Sequence, residues 1–341
     1  MAAEPSPEQI LQVGLGFWAS KTLLSAVELE VFTALGASSM TGPELGDRVG
    51  LHPRSRTDLL DALVSLGFLA RDGDGEDAQY SNSADTATFL DKNSPAYVGG
   101  LLEMANSRLY GFWGNLTEAL RTGEPQNEIK GGADDPFAVL YADEQRLEVF
   151  LRAMQGIQMG SFLALLERVD LSSAATLCDV GGASGILCAL AAQRYPQLRA
   201  VSFDLPAVEP VAKRTISAMG VEDRVSAVGG DFYTDDLPRA DVIVMGNVLH
   251  DWDEAQKQEL IRKAYAAVND GGRFVAVENV IDDARRENTF GLLMSLNMLI
   301  ETPGGFDYTG AQFDNWCRAA GFTRTEIVPL AGPTSAAIAY K

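Results

Sequence analysis

From residue 176 onward, short β-branched runs alternate with helical segments, and this rhythm limits what the chain can become more than any other feature. Strands are predicted at Thr176–Val180, Ala200–Phe203, Val225–Val228, Asp241–Met245 and Arg273–Glu278, with helical stretches between the first four and again before the fifth. Strands separated by a helix pair in parallel, because the helix carries the chain back to the edge where the last strand began. The expected architecture is a doubly wound α/β sheet with helices on both faces and ligand sites at the carboxyl edge of its strands. Two more candidates, Thr325–Val328 and Ala336–Tyr340, have too little chain between them for a crossover helix and are expected to add an antiparallel edge.

Before residue 172 the pattern is helical. Leu24, Val27, Val31 and Leu35 share one face, and Leu59, Leu63 and Leu66 share another. Thr41-Gly42-Pro43-Glu44 has the spacing of a capping box with proline in the first turn, opening a helix to about Val49. A helix from Pro53 stopped at Gly67, then Phe68 to Arg71, an Asp/Gly turn and Gln79 to Asn82, completes the outline of a winged helix. Two longer helical stretches follow, one opened by Ser94-Pro95 and ended near Gly123, the other opened by Asp135-Pro136, broken near Ala142 and reaching Arg168. Their apolar content exceeds one amphipathic face, which fits either a thick helical core or a surface covered by a second subunit. The change of rhythm divides a first domain, 1–171, from a second, 172–341, and the length suits two cores.

Charge narrows the partners. With 47 acidic against 27 basic residues, a net charge of −20 opposes both a phosphate backbone and an anionic membrane. The Arg54/Arg56 pair is the one feature that favours DNA. Met1 to Gln9 lacks the basic run and apolar core of a secretory signal, so the protein is expected in the cytoplasm. The richest apolar run, Phe290 to Ile300, is half the roughly 20 residues a membrane span needs. Cys178, Cys188 and Cys317 have no paired spacing, and two histidines exclude a three-imidazole metal centre, leaving a carboxylate-only magnesium site as the remaining metal option.

Asp179-Val180-Gly181-Gly182-Ala183-Ser184-Gly185 lies where the first strand turns into a helix, so backbone N–H groups and glycine dihedrals face a ligand at close range. It has neither the G-x-G-x-x-G register nor a Walker lysine. Asp204 ends the second strand, where a carboxylate accepts both hydroxyls of a ribose. Asp231 ends the third, with Phe232 beside it to cover an adenine ring. Each acid alone is more often a solvated strand end or a cap, but three such elements at successive strand ends point to a nucleotide-type cofactor.

With DVGGASG, FDLP, GGDFY, VLHDWDE and TPGG in that order, the chain resembles the S-adenosylmethionine-dependent O-methyltransferases of caffeate, flavonoids and acetylserotonin and their bacterial natural-product branch. The resemblance implies a Rossmann-like class I methyltransferase domain preceded by a helical, winged-helix dimerisation domain in a homodimer. It also implies that Gly181, Gly182, Ser184, Gly185, Asp204, Leu205, Gly230, Asp231, Phe232 and Asn247 line the cofactor site, with S-adenosylhomocysteine as product and no metal. His250 takes the place of the general base, with Glu278 and Asp307 orienting it; Asp307 replaces the glutamate common in plant members. Gly246 stands where many plant members carry a cofactor-contacting lysine. Trp113, Phe150, Met154, Met294, Asn297, Met298 and Thr302 are implied contacts for a small aromatic acceptor. Three alternatives stay open here: C- or N-methyl transfer, a cofactor-sensing winged-helix regulator, and a nicotinamide dehydrogenase, the last disfavoured by the missing G-x-G-x-x-G and by Asp231.

Overall fold

The computed structural model describes residues 5–130 and 144–341. The chain forms two compact units, one ending at Gly111 and one starting at Phe112. That border lies upstream of the change of rhythm near residue 172, which coincides instead with the first strand of the large sheet.

In the first unit, strands β1 (Met40–Thr41), β2 (Leu69–Asp72) and β3 (Gln79–Asn82) form an antiparallel sheet in the order β1-β3-β2, beside helices Gly42–Val49 and Pro53–Ser65. The capping box is present: Glu44 N–H donates to Thr41 Oγ1 at 3.3 Å, and Thr41 N–H to Glu44 Oε2 at 2.8 Å. Leu24, Val27, Val31 and Leu35 are buried with Leu45, Leu60 and Leu63. Leu66 is exposed, contrary to the helical reading, because the helix ends at Ser65 and Leu66 is already its C-cap. His52 caps the helix from Pro53, its Nδ1 accepting the Arg54 N–H at 3.2 Å.

Helices Glu8–Gly14 and Gly16–Glu28 expose Ile10, Val13, Phe17 and Trp18. Over Glu8–Glu28 the chain is long and apolar enough to cross a membrane by length and composition. The sequence reading overlooked this stretch because Gln12, Ser20, Lys21 and Ser25 interrupt every unbroken apolar run. The first long helical stretch is also shorter and more broken than expected. It starts at Gly99, passes through a π-helical turn at Ala105–Leu109, and closes with Leu116–Thr122 before Gly123 at φ 73°. Asp135-Pro136 and Ala142 lie outside the described residues; the helix Glu144–Arg168 belongs to the second unit.

The second unit is built on seven strands: β4 (Thr176–Val180), β5 (Arg199–Asp204), β6 (Val225–Gly229), β7 (Ala240–Gly246), β8 (Val268–Glu278), β9 (Arg324–Pro329) and β10 (Ser335–Tyr340). Their order is β6-β5-β4-β7-β8-β10-β9, parallel through β8 and antiparallel at β10 and β9. Alternate residues feed two cores. Leu177, Val242, Val244, Val275 and Val277 pack with Phe162, Leu187 and Ala212 on one face. Cys178, Val180, Ile243, Met245 and Phe274 pack with Leu260, Ile261, Phe313 and Trp316 on the other. Burial on both faces is what makes these strands continuous apolar runs.

Candidate active site

The turn after β4 is shaped by three residues at positive φ: Gly181 at 71°, Ala183 at 48° and Gly185 at 73°. Side chains have no room at its base. A Cβ on Gly181 would stand 2.7 Å from Val248 Cγ2, and one on Gly182 would stand 2.4 Å from Ser202 Oγ. Gly181 N–H donates to Phe203 O at 2.9 Å, locking the turn to β5, and Gly185 is the N-cap of helix Ile186–Arg194 without a side-chain cap. Uncapped N–H groups at a helix start, reached over bare glycine backbone, form a cradle for a polar ligand.

Asp204 ends β5 with its carboxylate already oriented, Oδ2 accepting from Ala183 N–H at 2.8 Å and Oδ1 from Leu205 N–H at 2.7 Å. Burial raises it to about 6 against those two hydrogen bonds. Gly230 N–H donates to Asp204 O at 2.8 Å, and a Cβ on Gly230 would strike the Phe203 ring. Asp231 therefore follows at the next strand end, its Oδ1 accepting from Tyr233 N–H at 2.8 Å. Phe232, Tyr233 and Trp252 form an aromatic group with ring centroids 4.7 to 5.9 Å apart.

Sequence reasoning missed Asp179, the acid that opens the loop. It is buried, and burial, with the charge of Asp204, pushes it up to about 8. A group that binds its proton more tightly when folded gives stability that is complete below about pH 4 and is lost as the pH climbs through about 8. Asp179→Asn should thus melt about 3–6 °C above the parent protein at pH 8.5 and close to it at pH 4.5 in thermal scans. Equal melting at both values would show that the carboxyl is ionised without cost.

His250 sits in a single 3₁₀ turn, Leu249–Asp251, that follows β7 at the carboxyl edge of the sheet. The turn is held by Glu278 at the end of β8, whose Oε1 accepts from Val248 N–H at 3.1 Å and Leu249 N–H at 3.0 Å. The other oxygen, Oε2, lies 3.5 Å from His250 Nδ1, Asp307 Oδ1 lies 3.6 Å from the same nitrogen, and Asp251 Oδ1 lies 3.4 Å from Nε2. His250, Glu278 and Asp307 are buried and Asp251 is partly buried, and His250 Nδ1, Glu278 Oε2 and both Asp307 oxygens are buried without a hydrogen-bond partner. At such lengths these are charge contacts rather than formed hydrogen bonds, as in many sites that tighten only around a ligand. Burial alone would lower the imidazole, but Glu278, Asp251 and Asp307 outweigh it and push His250 up to about 10. Burial in turn raises Glu278 to about 7 and Asp251 to about 6.

The remaining expected residues fall into two groups. Met298 is buried, and Phe150, Met154, Met294 and Trp113 are half-buried, with Phe150 packed among Leu151, Val208 and Ala183 beside the glycine turn. Asn297 and Thr302 are engaged inside the fold. Asn297 accepts from Trp113 Nε1 at 2.8 Å and donates to Glu301 Oε2 at 3.0 Å. Thr302 Oγ1 donates to Met298 O at 2.9 Å and accepts from Gly305 N–H at 2.8 Å. Asn247, at φ 53°, donates its N–H to Val277 O at 3.0 Å. At Gly246 a Cβ would meet the Phe162 ring at 3.2 Å, and Gln158 Nε2 donates to the Gly246 carbonyl, so helix Glu144–Arg168 occupies the space of a longer side chain.

Comparison with known proteins shows the family. The chain matches the O-methyltransferase domain over residues 113–323 and the O-methyltransferase dimerisation domain over residues 11–92. It is 41% identical to a tetracenomycin polyketide synthesis 8-O-methyl transferase of Streptomyces glaucescens, across 98% of this chain and 97% of that one. It is 32% identical to a 3-hydroxy-5-methyl-1-naphthoate 3-O-methyltransferase of Streptomyces sahachiroi, across 96% and 92%. The crystal structure of human N-acetylserotonin methyltransferase in complex with S-adenosylmethionine superimposes with a TM-score of 0.91 at 28% identity, covering 100% of this chain and 99% of that one.

Proposed function

This chain belongs to the O-methyltransferase family, and from that premise we propose that it methylates a hydroxyl on a fused-ring aromatic acceptor with His250 as general base. The activity class is S-adenosylmethionine-dependent O-methyl transfer, which this family performs without a metal. Bound S-adenosylmethionine supplies an electrophilic methyl group on a positively charged sulfur. Gly181, Gly182, Ser184 and Gly185 would give the backbone cradle, Asp204 and Leu205 the ribose end, and Gly230, Asp231 and Phe232 the adenine end, with Asn247 beside them. The fit rests on the glycine turn, where a Cβ on Gly181 or Gly182 would strike Val248 or Ser202, and on the Asp204 carboxylate held in place by two backbone N–H groups.

The observation that carries the reading is the buried imidazole of His250 with two carboxylates at Nδ1. A base works through one nitrogen when the other is held, and Glu278 and Asp307 are placed to hold Nδ1, so that Nε2, 3.4 Å from Asp251 Oδ1, would take the acceptor's proton. The acids around it raise the proton affinity of this imidazole toward that of a phenol, which titrates near 10, so the transfer is less uphill than to an ordinary imidazole. A positive charge brought into the site opposes the same carboxylates and frees His250 of the proton it would otherwise keep. Trp113, Phe150, Met154, Met294 and Met298 would form the apolar walls for a flat ring. Asn297 and Thr302 would then act through the shape they hold rather than by direct hydrogen bonds.

We further read the dimerisation domain as joining two copies of this chain, with the exposed Ile10, Val13, Phe17 and Trp18 on the covered face. Localisation in the cytoplasm fits a soluble biosynthetic role. The test is incubation with methyl-labelled S-adenosylmethionine and 3-hydroxy-5-methyl-1-naphthoate, alongside simple phenols and amines. An O-methyl ether formed in step with S-adenosylhomocysteine, unchanged by a chelator, is the expected result; methylation confined to nitrogen or carbon would overturn it.

A further inference from the structure

Helix Glu254–Ala267 buries one face, made by Leu260, Ile261, Ala264, Ala267 and, one turn earlier, Lys257. A lysine with no exposed surface in such a stripe is costly unless its charge has a use. Its Nζ donates to the carbonyl of Trp252, immediately after the turn that carries His250, and lies 3.6 Å from the centre of the Phe306 ring, next to Asp307 in sequence. It therefore touches both segments that bring charge to the imidazole.

We propose that Lys257 is a positioning residue of the methyl-transfer site, a buried cation that ties the His250 turn to the Phe306-Asp307 segment and offsets the carboxylates around the imidazole. The proposal rests on the reading of His250 as the base. Around this pair, Asp251 comes from the 3₁₀ turn, Asp253 from the N-cap of the lysine's own helix, Glu278 from the end of β8 and Asp307 from the segment after Gly305. Glu301, at the end of helix Thr289–Glu301, faces Asp251, and the phenols of Tyr233 and Tyr308 face the same carboxylates. Four acids bear on Lys257, and three of them on His250. Without a cation among them the imidazole would hold its proton still more firmly and serve as base less often. Burial lowers Lys257 to about 8 despite those acids, so its charge belongs to the neutral and acidic range.

Two histidines make the test direct, since His52 and His250 give the only imidazole signals in the NMR spectrum. With S-adenosylmethionine bound, whose charge brings the His250 midpoint down into the range where Lys257 is charged, that midpoint should rise by on the order of one pH unit in Lys257→Met, while His52 stays put. With 3-hydroxy-5-methyl-1-naphthoate as probe, the acid limb of kcat/KM should move by the same amount, lowering the value at pH 7 about tenfold with cofactor affinity within about twofold. Lys257→Gln keeps a donor for the Trp252 carbonyl without the charge and should show the same shift, separating electrostatics from the tether. An unmoved titration in either folded variant overturns the proposal, and so does failure of both to fold, which would make the lysine a residue of the core alone. Turnover that survives His250→Ala would sink the base reading and this one with it; an unmoved midpoint beside a dead His250→Ala sinks this one alone.

Discussion

Replacing His250 with alanine should lower turnover by about 10²–10⁴ while S-adenosylmethionine binds as before. That range corresponds to about 3–5 kcal/mol of barrier, the share of the rate that proton removal supplies, whereas alignment of donor and acceptor supplies about 7–11 and survives the substitution. The carboxylates left behind also change. Glu278 and Asp251 are each held down in part by the imidazole, and without it each takes a proton more readily. The variant should accordingly stay folded, because its buried acids neutralise rather than remain as bare charges. Its activity, followed as release of labelled methyl product, should lose the acid limb of its pH profile. Activity within about threefold of the parent protein would mean that deprotonation happens elsewhere.

Cofactor affinity should respond most to Asp204. Asp204→Ala removes a carboxylate whose two oxygens are aimed by Ala183 N–H and Leu205 N–H, and with it the two charge-assisted hydrogen bonds proposed to a ribose diol. At about 1.5–3 kcal/mol each, these bonds together correspond to roughly a 10²–10⁴-fold weaker Kd for S-adenosylmethionine by calorimetry. Asp204→Asn should fall between the two. The pH dependence has a definite sign. Asp204 is raised to about 6, so in the parent protein the neutral acid dominates below that value, and affinity should decline as the pH drops through about 6. A parent affinity flat across that window, or an alanine variant that binds within about threefold, would show that the diol is held by something else.

Local rules explain why much of the site was legible. The strand ends at Asp204, Asp231 and Glu278 follow from β-branched runs of ordinary length, and their position at one edge follows from parallel connection. The Thr41–Glu44 capping box and the positive φ at Gly181 and Gly185 are decided within a few residues. Lys257, by contrast, looks like one more charge on an amphipathic helix, and Asp179 like an ordinary polar residue near the end of a strand. Asn297 and Thr302 look like free polar groups for an acceptor, yet their hydrogen bonds to Trp113, Glu301, Met298 and Gly305 are spent inside the fold. Nothing in their immediate neighbours marks them as buried.

What the sequence determined by itself is therefore the class of sheet, the glycine turn, the acids at successive strand ends and the histidine beside them, since each depends on backbone geometry and periodicity over a short span. Tertiary structure decided the electrostatics: which acids lose water, how far Glu278 and Asp307 stand from Nδ1, and that a lysine is enclosed with them. Proton affinity in a low-dielectric interior depends on distances between groups far apart in the chain, and those distances exist only after β7, β8 and the segment through Asp307 have packed together.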